Sequence, residues 1–481
     1  MAIRIPVAIA ILLLAAGAGA ASADELPNHF TLQQAIMFGL THNRSILIAE
    51  NQRVAQRAQL RLAEDKFNPK PNIIALYSAT KVFSHSRVDP DWTTTGTQAA
   101  VGPTVDMVLP TGTIVSVSAT AGRDTTTANG IDADSGIVDL ALTVRQPLLR
   151  DAGIDVNLAS VRQARFQEEA NKLELRFLVS RAITEIILAY REVTRSRLAV
   201  EIAAKSLARS RQIESDTRKL IAAGRIAASD IILSQSSVYQ QEIGLLGARN
   251  DAEKAMINLL TIIGADLADT AAPAVNGKAA YKQFNLPRSV AQALDANPQV
   301  TAQNFRIEAA RKDLEIASNQ TEWDLSLVGG VGFLRTGPEF DNRDNRTELT
   351  DGVQLTIPLN NLAAETRETQ AAVALKDAQL QFAEIRVTVQ QTVRNAINDA
   401  EVKWKQYELS QHVRQSALGA LDAARKRLAL GRATNFEVQS LEDELRAAEI
   451  AELDAMIDYQ NALAQADLAI GTTMNTWGIN L

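Results

Sequence analysis

The chain has no cysteine, four histidines, and aromatic residues at only 5% of its 481 positions. Without cysteine there can be no disulfide, no thiolate metal site, no cysteine nucleophile and no N-terminal lipid-bearing cysteine, so stability rests on packing alone. The histidines, His29, His42, His85 and His412, are far apart, and none stands at ligand spacing to another or to a carboxylate pair. A phosphate-cradling glycine loop and a nucleophile elbow are also missing, and nothing in the pattern asks for an enzyme, a cofactor or a metal. A basic domain is missing as well. The formal net charge is -7, with Lys and Arg spread among acidic residues along helix-like stretches, which excludes a nucleic-acid partner and reads as solvated faces.

Helix breakers are absent where it matters. From about 155 to 223 there is neither Gly nor Pro, and from 361 to 430 only Gly419. Each stretch predicts one helix of nearly 70 residues, about 100 Å long at 1.5 Å per residue. Ile183, Ile187, Tyr190 and Val193 in the first, and Phe382, Ile385, Val389, Val393 and Ala396 in the second, recur every three or four positions. A partner helix must cover that side.

Long apolar runs are missing except at the start. "MAIRIPVAIAILLLAAGAGAASADELP" has a basic Arg4, an apolar stretch from about Ile5 to Ala16 and Ala21-Ser22-Ala23 before a cut at Asp24. Residues 1–23 thus read as a secretory signal peptide, the apolar stretch falling short of the ~20 residues that a spanning helix needs.

What is present is duplicated. "LTHNRSILIAENQRVAQRAQLRLAEDKF" from Leu40 and "LDANPQVTAQNFRIEAARKDLEIASNQT" from Leu294 align Asn43 with Asn297, Ala55 with Ala309, Leu60 with Leu314 and Ala63 with Ala317. Both asparagines are natural N-caps, Pro298 suits the first helical position, and Thr31 with Gln34 has capping-box spacing. Later, "LIAAGRIAASDIILSQ" and "RLALGRATNFEVQSLE" each set Gly-Arg between two helices with an acidic residue six positions after the glycine: Gly224, Arg225 and Asp230, then Gly431, Arg432 and Glu437. The glycines fit helix stops, and Ser229 with Asp230 fits a helix start. The chain divides into a first repeat at 24–264, a linker at 265–286 and a second repeat at 287–481, with helical-hairpin tips near 224 and 431.

Strands interrupt each repeat. "VDLALTVRQPLLRDAG" at 138–153 alternates apolar and polar residues until Pro147, then enters the long helix. Segments 97–109, 113–122, 324–334 and 348–359 alternate cleanly, and 72–83 less so, each about the ten residues of a tilted transmembrane strand. "PTG" at 110–112 is a tight turn. "SHSRVDPDWTTTG", "DTTTANGIDADSG" and "RTGPEFDNRDNRT" read as long polar loops. Six strands cannot close a membrane barrel, whose smallest form has about eight, and lipid does not tolerate open edges, so several copies are needed.

This order of elements, found twice, with the "LTVRQPLLRDAG" strand-to-helix junction and the paired Gly-Arg tips, resembles the TolC-like outer-membrane efflux protein family over nearly the whole chain after the signal. The resemblance implies a mainly α chain with membrane β-structure: a homotrimer whose outer-membrane β-barrel continues into a periplasmic α-helical tunnel. It implies a passive export conduit working with a periplasmic adaptor (membrane fusion protein) and an inner-membrane transporter. It also implies that the helix turns form the tunnel's periplasmic mouth, with Asp230, Glu437 and Ser229 as aperture candidates and Gly224, Arg225, Gly431, Arg432 and Thr434 as adaptor-contact candidates. The alternative is a periplasmic coiled-coil scaffold that opens no pore, which would have no use for the alternating strands.

Two departures qualify the likeness. Where the family pattern can carry a further acidic residue one helical step beyond the second tip, this chain has Ser440, and Ala433 holds the nearby position that can be basic. A gate wired by the same ion pairs is therefore not expected. The family usually has two strands per half, so 97–122 is an extra hairpin: either the barrel has 18 strands or the hairpin folds outside the wall. At the mouth, carboxylates repeated by symmetry would favour cations, or Asp230 and Glu437 merely neutralise helix N-termini. Arg225 and Arg432 bind the adaptor or are solvated loop charges. Trp323 and Phe67, at helix-to-strand joins, form an interfacial aromatic belt or pack ordinarily.

Overall fold

The computed structural model describes residues 29–85, 92–128, 131–266, 272–274, 279–337, 344–430 and 432–479. The signal-peptide reading, Gly431, and parts of the linker and of the three polar loops lie outside the described residues. In chain order the elements are β1 (His29–Phe30), α1 (Leu32–His42), α2 (Arg44–Glu64), a 3-10 turn (Asp65–Phe67), β2 (Lys70–Ser84), β3 (Trp92–Val108), β4 (Ile114–Ala128), β5 (Ile131–Pro147), α3 (Ile154–Ala222), α4 (Asp230–Ile263), β6 (Ala272–Pro273), α5 (Leu286–Ala296), α6 (Pro298–Asn319), β7 (Asp324–Gly337), β8 (Asp344–Thr356), α7 (Leu362–Ala429), α8 (Asn435–Ile470) and α9 (Thr473–Thr476). The chain is mainly α with one large sheet. It forms two compact units, Met1–Arg53 with Lys172–Ala302 and Phe382–Leu481, and Val54–Asn171 with Gln303–Gln381.

The first unit is helical. Thr31 and Gln34 close a capping box, Gln34 N–H donating to Thr31 Oγ1 at 3.3 Å and Thr31 N–H to Gln34 Oε1 at 2.8 Å. Asn43 Oδ1 accepts from the N–H groups of Ser45 (2.9 Å) and Ile46 (3.1 Å), and Asn297 Oδ1 from Gln299 (2.9 Å), so both asparagines start helices. The α3 face read from sequence is buried: Ile183, Ile187, Tyr190 and Val193 pack with Ile36, Leu259 and Ile263. Val389 and Val393 of α7 pack with Val300 and Ile470, with Phe382, Ile385 and Ala396 at the margin. The Tyr190 hydroxyl lies between the carbonyls of Phe30 (3.1 Å) and Ala274 (2.7 Å), pinning the small parallel pair of β1 and β6 onto α3. Glycines in the left-handed conformation, Gly264 at φ 79° and Gly471 at φ 84°, end α4 and α8.

The second unit contains one six-stranded antiparallel sheet, ordered β2-β3-β4-β5-β7-β8. The segment 97–122 therefore belongs to the sheet as β3 and β4, each hydrogen-bonded to a neighbour on both sides. Two close approaches hold this hairpin: a Cβ on Gly102 would lie 1.9 Å from the Ala119 carbonyl oxygen, and one on Gly122 2.2 Å from that of Ala99. The loops are shorter than the sequence reading made them. "DTTTANGIDADSG" is mostly strand, because threonine favours the pleated state and pairs across it with aspartate. Thr127 Oγ1 donates to Asp132 at 2.6 Å and Thr125 Oγ1 to Asp134 at 3.3 Å. Strands likewise extend into the two other polar segments, to Gly337 and from Asp344 in one and from Trp92 in the other.

Candidate functional site

The first helical tip follows from a stop signal. The Gly224 N–H donates to Ile221 O (2.9 Å) and the Arg225 N–H to Leu220 O (2.9 Å), the paired bonds of a Schellman ending, with Gly224 left-handed at φ 65°. Arg225 reaches across to the other tip, where Nη1 donates to the Ala429 carbonyl at 3.2 Å. It thereby places positive charge on the C-terminus of α7, where the exposed carbonyls carry partial negative charge. Ser229 with Asp230 stands at the start of α4; Ser229 has helical backbone angles and makes no side-chain cap. The Asp230 carboxylate opens α4 with no ion-pair partner among the described residues.

The second tip repeats the plan with different chemistry. The Arg432 N–H donates to Arg427 O at 2.8 Å, the counterpart of the Arg225 bond. Thr434 caps α8, its hydroxyl accepting from the Glu437 N–H at 3.1 Å. The Glu437 carboxylate pairs with Arg427 of α7. The two acidic candidates are therefore unlike: one is unpaired, the other is held across its own hairpin. No ion pair involves Arg432 among the described residues, and its side chain is exposed.

Behind the tips lies a polar seam that sequence reasoning missed. Thr217, Ser234, Asn435 and Gln439 are buried together: Ser234 Oγ donates to Thr217 Oγ1 (3.2 Å), and Asn435 Nδ2 donates to Ser234 Oγ (2.6 Å) and to Asp230 O (3.2 Å). The Gln439 amide donates to Ser234 Oγ at 3.3 Å. Further along, Glu442 has only 1% of its side chain exposed. Arg209 Nε donates to its Oε1 at 2.6 Å, Ser206 Oγ to the same oxygen at 3.1 Å, and Arg425 to its Oε2 at 3.4 Å. Burial raises the Glu442 pKa, and Arg209, Ser206 and Arg425 offset only part of that shift. The seam joins α3, α4, α7 and α8 beside an apolar stretch that includes Leu421, Val438 and Leu445. The available signal was the presence of Ser206, Thr217, Ser234 and Asn435 at positions in phase with the buried face.

The sheet is the other candidate site, and its two faces differ. Register carries an apolar row through every strand: Pro71, Val105, Val117, Leu142, Val331 and Leu349. Ile73, Tyr77, Leu349 and Val353 on this face are 68–81% exposed. The opposite face carries Asp106, Ser116, Thr143 and Thr350 in one row, with Ser116 donating to Asp106 at 2.7 Å. At the end of the sheet nearest α3, Arg145 Nη2 donates to both carboxylate oxygens of Asp324 (2.6 and 2.7 Å), and Arg150 adds a third bond at 3.0 Å. Trp323, next to it, is half-exposed, and Phe67 sits under the Lys66 ammonium. No helix of the described residues is long and apolar enough to cross a membrane.

Residues 290–472 match the protein-family model described as outer membrane efflux protein. Among solved structures, the fold is similar to that of VceC, an outer membrane protein of Vibrio cholerae (TM-score 0.71, 18% identity, 92% of this chain and 96% of that one). It is similar also to the CmeC outer membrane channel of Campylobacter jejuni (0.70, 14%, 92% and 86%) and to the MtrE outer membrane channel of Neisseria gonorrhoeae in its open state (0.65, 16%, 92% and 89%). A comparison with curated protein sequences gave no match. The likeness to the TolC-like outer-membrane efflux family read from sequence thus holds by family model in the second repeat and by fold over nine-tenths of the chain.

Proposed function

We propose that the protein is the outer-membrane channel of a tripartite efflux or type I secretion system, a homotrimeric passive conduit that carries out no catalytic step. The observation that carries this reading is the sheet: one face exposes apolar rows, the opposite face carries the polar row of Asp106, Ser116, Thr143 and Thr350, and neither edge strand has an outer partner among the described residues. In lipid an unpaired edge is costly enough that such a sheet must be completed by further copies. The helices support the same assembly. Ile232, Tyr239, Ile243 and Leu246 on α4, and Val402, Leu409 and Val413 on α7, are exposed at seven- and three- or four-residue spacing, seams that want neighbouring helices. The chain is exported by its signal peptide to the outer membrane of a Gram-negative cell, with the helices on the periplasmic side. The tips around Gly224, Arg225, Gly431, Arg432 and Thr434 meet a periplasmic adaptor bound to an inner-membrane transporter, and Asp230 and Glu437 line the aperture.

Purified from the outer-membrane fraction in mild detergent, the protein should run as a heat-modifiable trimer and conduct ions across planar bilayers. A stable monomer by light scattering, or a trimer that never conducts, would leave only the scaffold reading.

A further inference from the structure

The sheet has six strands in one chain, where the family resemblance implies four, and both of the additional strands are interior to it. β3 and β4 lie between β2 and β5 and are in phase with both: Val105 faces Pro71 on one side and Val117 on the other, and Val117 faces Leu142. A hairpin lying outside the wall would not share these rows. Its faces also match those of its neighbours. Val101, Val105, Met107, Val115, Val117 and Ala121 share the exposed apolar face, while Thr104, Asp106, Ser116, Ser118 and Thr120 share the polar one. On the apolar face of β5, Val138 to Val144 span about 20 Å of strand at ~3.3 Å per residue, which fits within the ~25 Å apolar band of outer-membrane barrels. Beyond that band the same face turns polar, with Thr125, Thr127, Asp132 and Asp134.

Closure then has one simple solution. The edges are β2, with fifteen residues, and β8, with thirteen. Because the strand number is even and every pairing is antiparallel, β8 of one copy can continue the pattern onto β2 of the next without breaking it. We infer that three copies close a barrel of 18 strands, six from each, with the β3–β4 hairpin lining its lumen and seams formed by β8 of one copy against β2 of another. This rests on the trimeric-channel reading above. Since barrel diameter grows roughly in proportion to strand number, the bore is about 1.5 times that of a trimer with four strands per chain, and at 16–18 strands a barrel holds an aqueous channel. The hairpin lines this bore with hydroxyls and carboxylates, and, past Trp92 at the start of β3, its polar face carries no aromatic or basic residue from Thr94 to Val108 or from Ile114 to Ala128: the vestibule suits large hydrophilic cargo.

The cysteine-free chain makes the test unambiguous. In the full protein assembled in outer membranes, cysteines at Asn72, Ile74 or Leu76 of β2, paired with cysteines at Thr350, Gly352 or Gln354 of β8, should give at least one combination that oxidises to a ladder of covalent dimers and trimers. Separately, single cysteines at Val101, Val105 and Val117 should react with a lipid-soluble maleimide, and those at Thr104, Asp106 and Ser116 with a membrane-impermeant one. A conducting trimer in which both hairpin sets react with the aqueous reagent alike would overturn the 18-strand wall while leaving the channel reading intact. So would the absence of any ladder from the nine pairs in such a trimer. A protein that neither trimerises nor conducts would instead remove the functional reading on which the inference rests.

Discussion

Glu442 is the residue whose environment departs most from what its neighbourhood of helices would suggest. The Glu442 carboxyl has 1% exposure and lies among Arg209, Arg425 and Ser206, with Glu449 sharing Arg209 and Asp443 bonded to Gln241, and its charged form bears a desolvation cost. Its folded pKa is raised, so the folded state binds this proton more tightly than the unfolded chain does. The group's stabilising contribution is therefore full below its ordinary unfolded value and is lost as pH rises through the raised folded value. Glu442→Gln keeps an acceptor for Ser206 and removes that titration. The thermal midpoint of the variant relative to the parent should be higher at pH 7.5 than at pH 4.5. An identical difference at both values would show that the burial penalty is already cancelled by the arginines. Glu442→Ala should be destabilising at both, because it leaves the half-buried Arg209 with only Glu449 as ion-pair partner.

Elements whose ends are set by backbone chemistry were legible in the sequence, and elements whose interiors are polar were not. Gly224 illustrates the first kind: the left-handed residue after α3 was readable from its place between two breaker-free runs, and it sits at φ 65° with nothing near the position of a Cβ. Gly224→Ala should thus cost about 1 kcal/mol through backbone strain alone, seen as faster hydrogen exchange in 218–226 with the far end of α3 unchanged. No local change would mean that the turn relaxes around the new side chain. Asn43, Asn297 and Thr31 were legible for the same reason, since a cap is a local bond. The strand core was readable from alternation, whereas the Thr- and Asp-rich ends of β4 and β5 were read as loop because polarity masks strand propensity there. The buried seam of Thr217, Ser234 and Asn435 was hidden because each is an ordinary surface residue until a second helix covers it. The cross-hairpin role of Arg225 was not legible: beside the adaptor-contact and solvated-charge readings, its guanidinium also donates to the Ala429 carbonyl, a bond that no local pattern announces. Arg225→Ala should loosen the last turn of α7 and raise exchange at 425–430, with Arg225→Lys restoring part of the protection; equal exchange in all three proteins would make the bond incidental.

At the scale of the assembled molecule, three-fold repetition would turn the difference between the two tips into a difference in permeation. Glu437 is already paired with Arg427, so its charge is largely cancelled within its own hairpin, whereas Asp230 has no such partner among the described residues. Three copies of Asp230 around one aperture would then supply most of the field that attracts cations, and Glu437 would chiefly hold the hairpin closed. Asp230→Asn is expected to lower cation selectivity, read as the reversal potential across a KCl gradient, with little change in conductance. Glu437→Gln is expected to raise conductance and to shift selectivity toward anions by freeing the Arg427 guanidinium, an effect that should shrink as ionic strength rises. The double variant should combine both changes while the trimer remains stable in detergent. Helix-dipole neutralisation alone is worth ~0.3–1 kcal/mol per residue and would alter stability slightly without touching permeation. If the assembled Asp230→Asn trimer keeps its reversal potential, the carboxylate is only an end-of-helix charge, and the constriction lies elsewhere than at the tips.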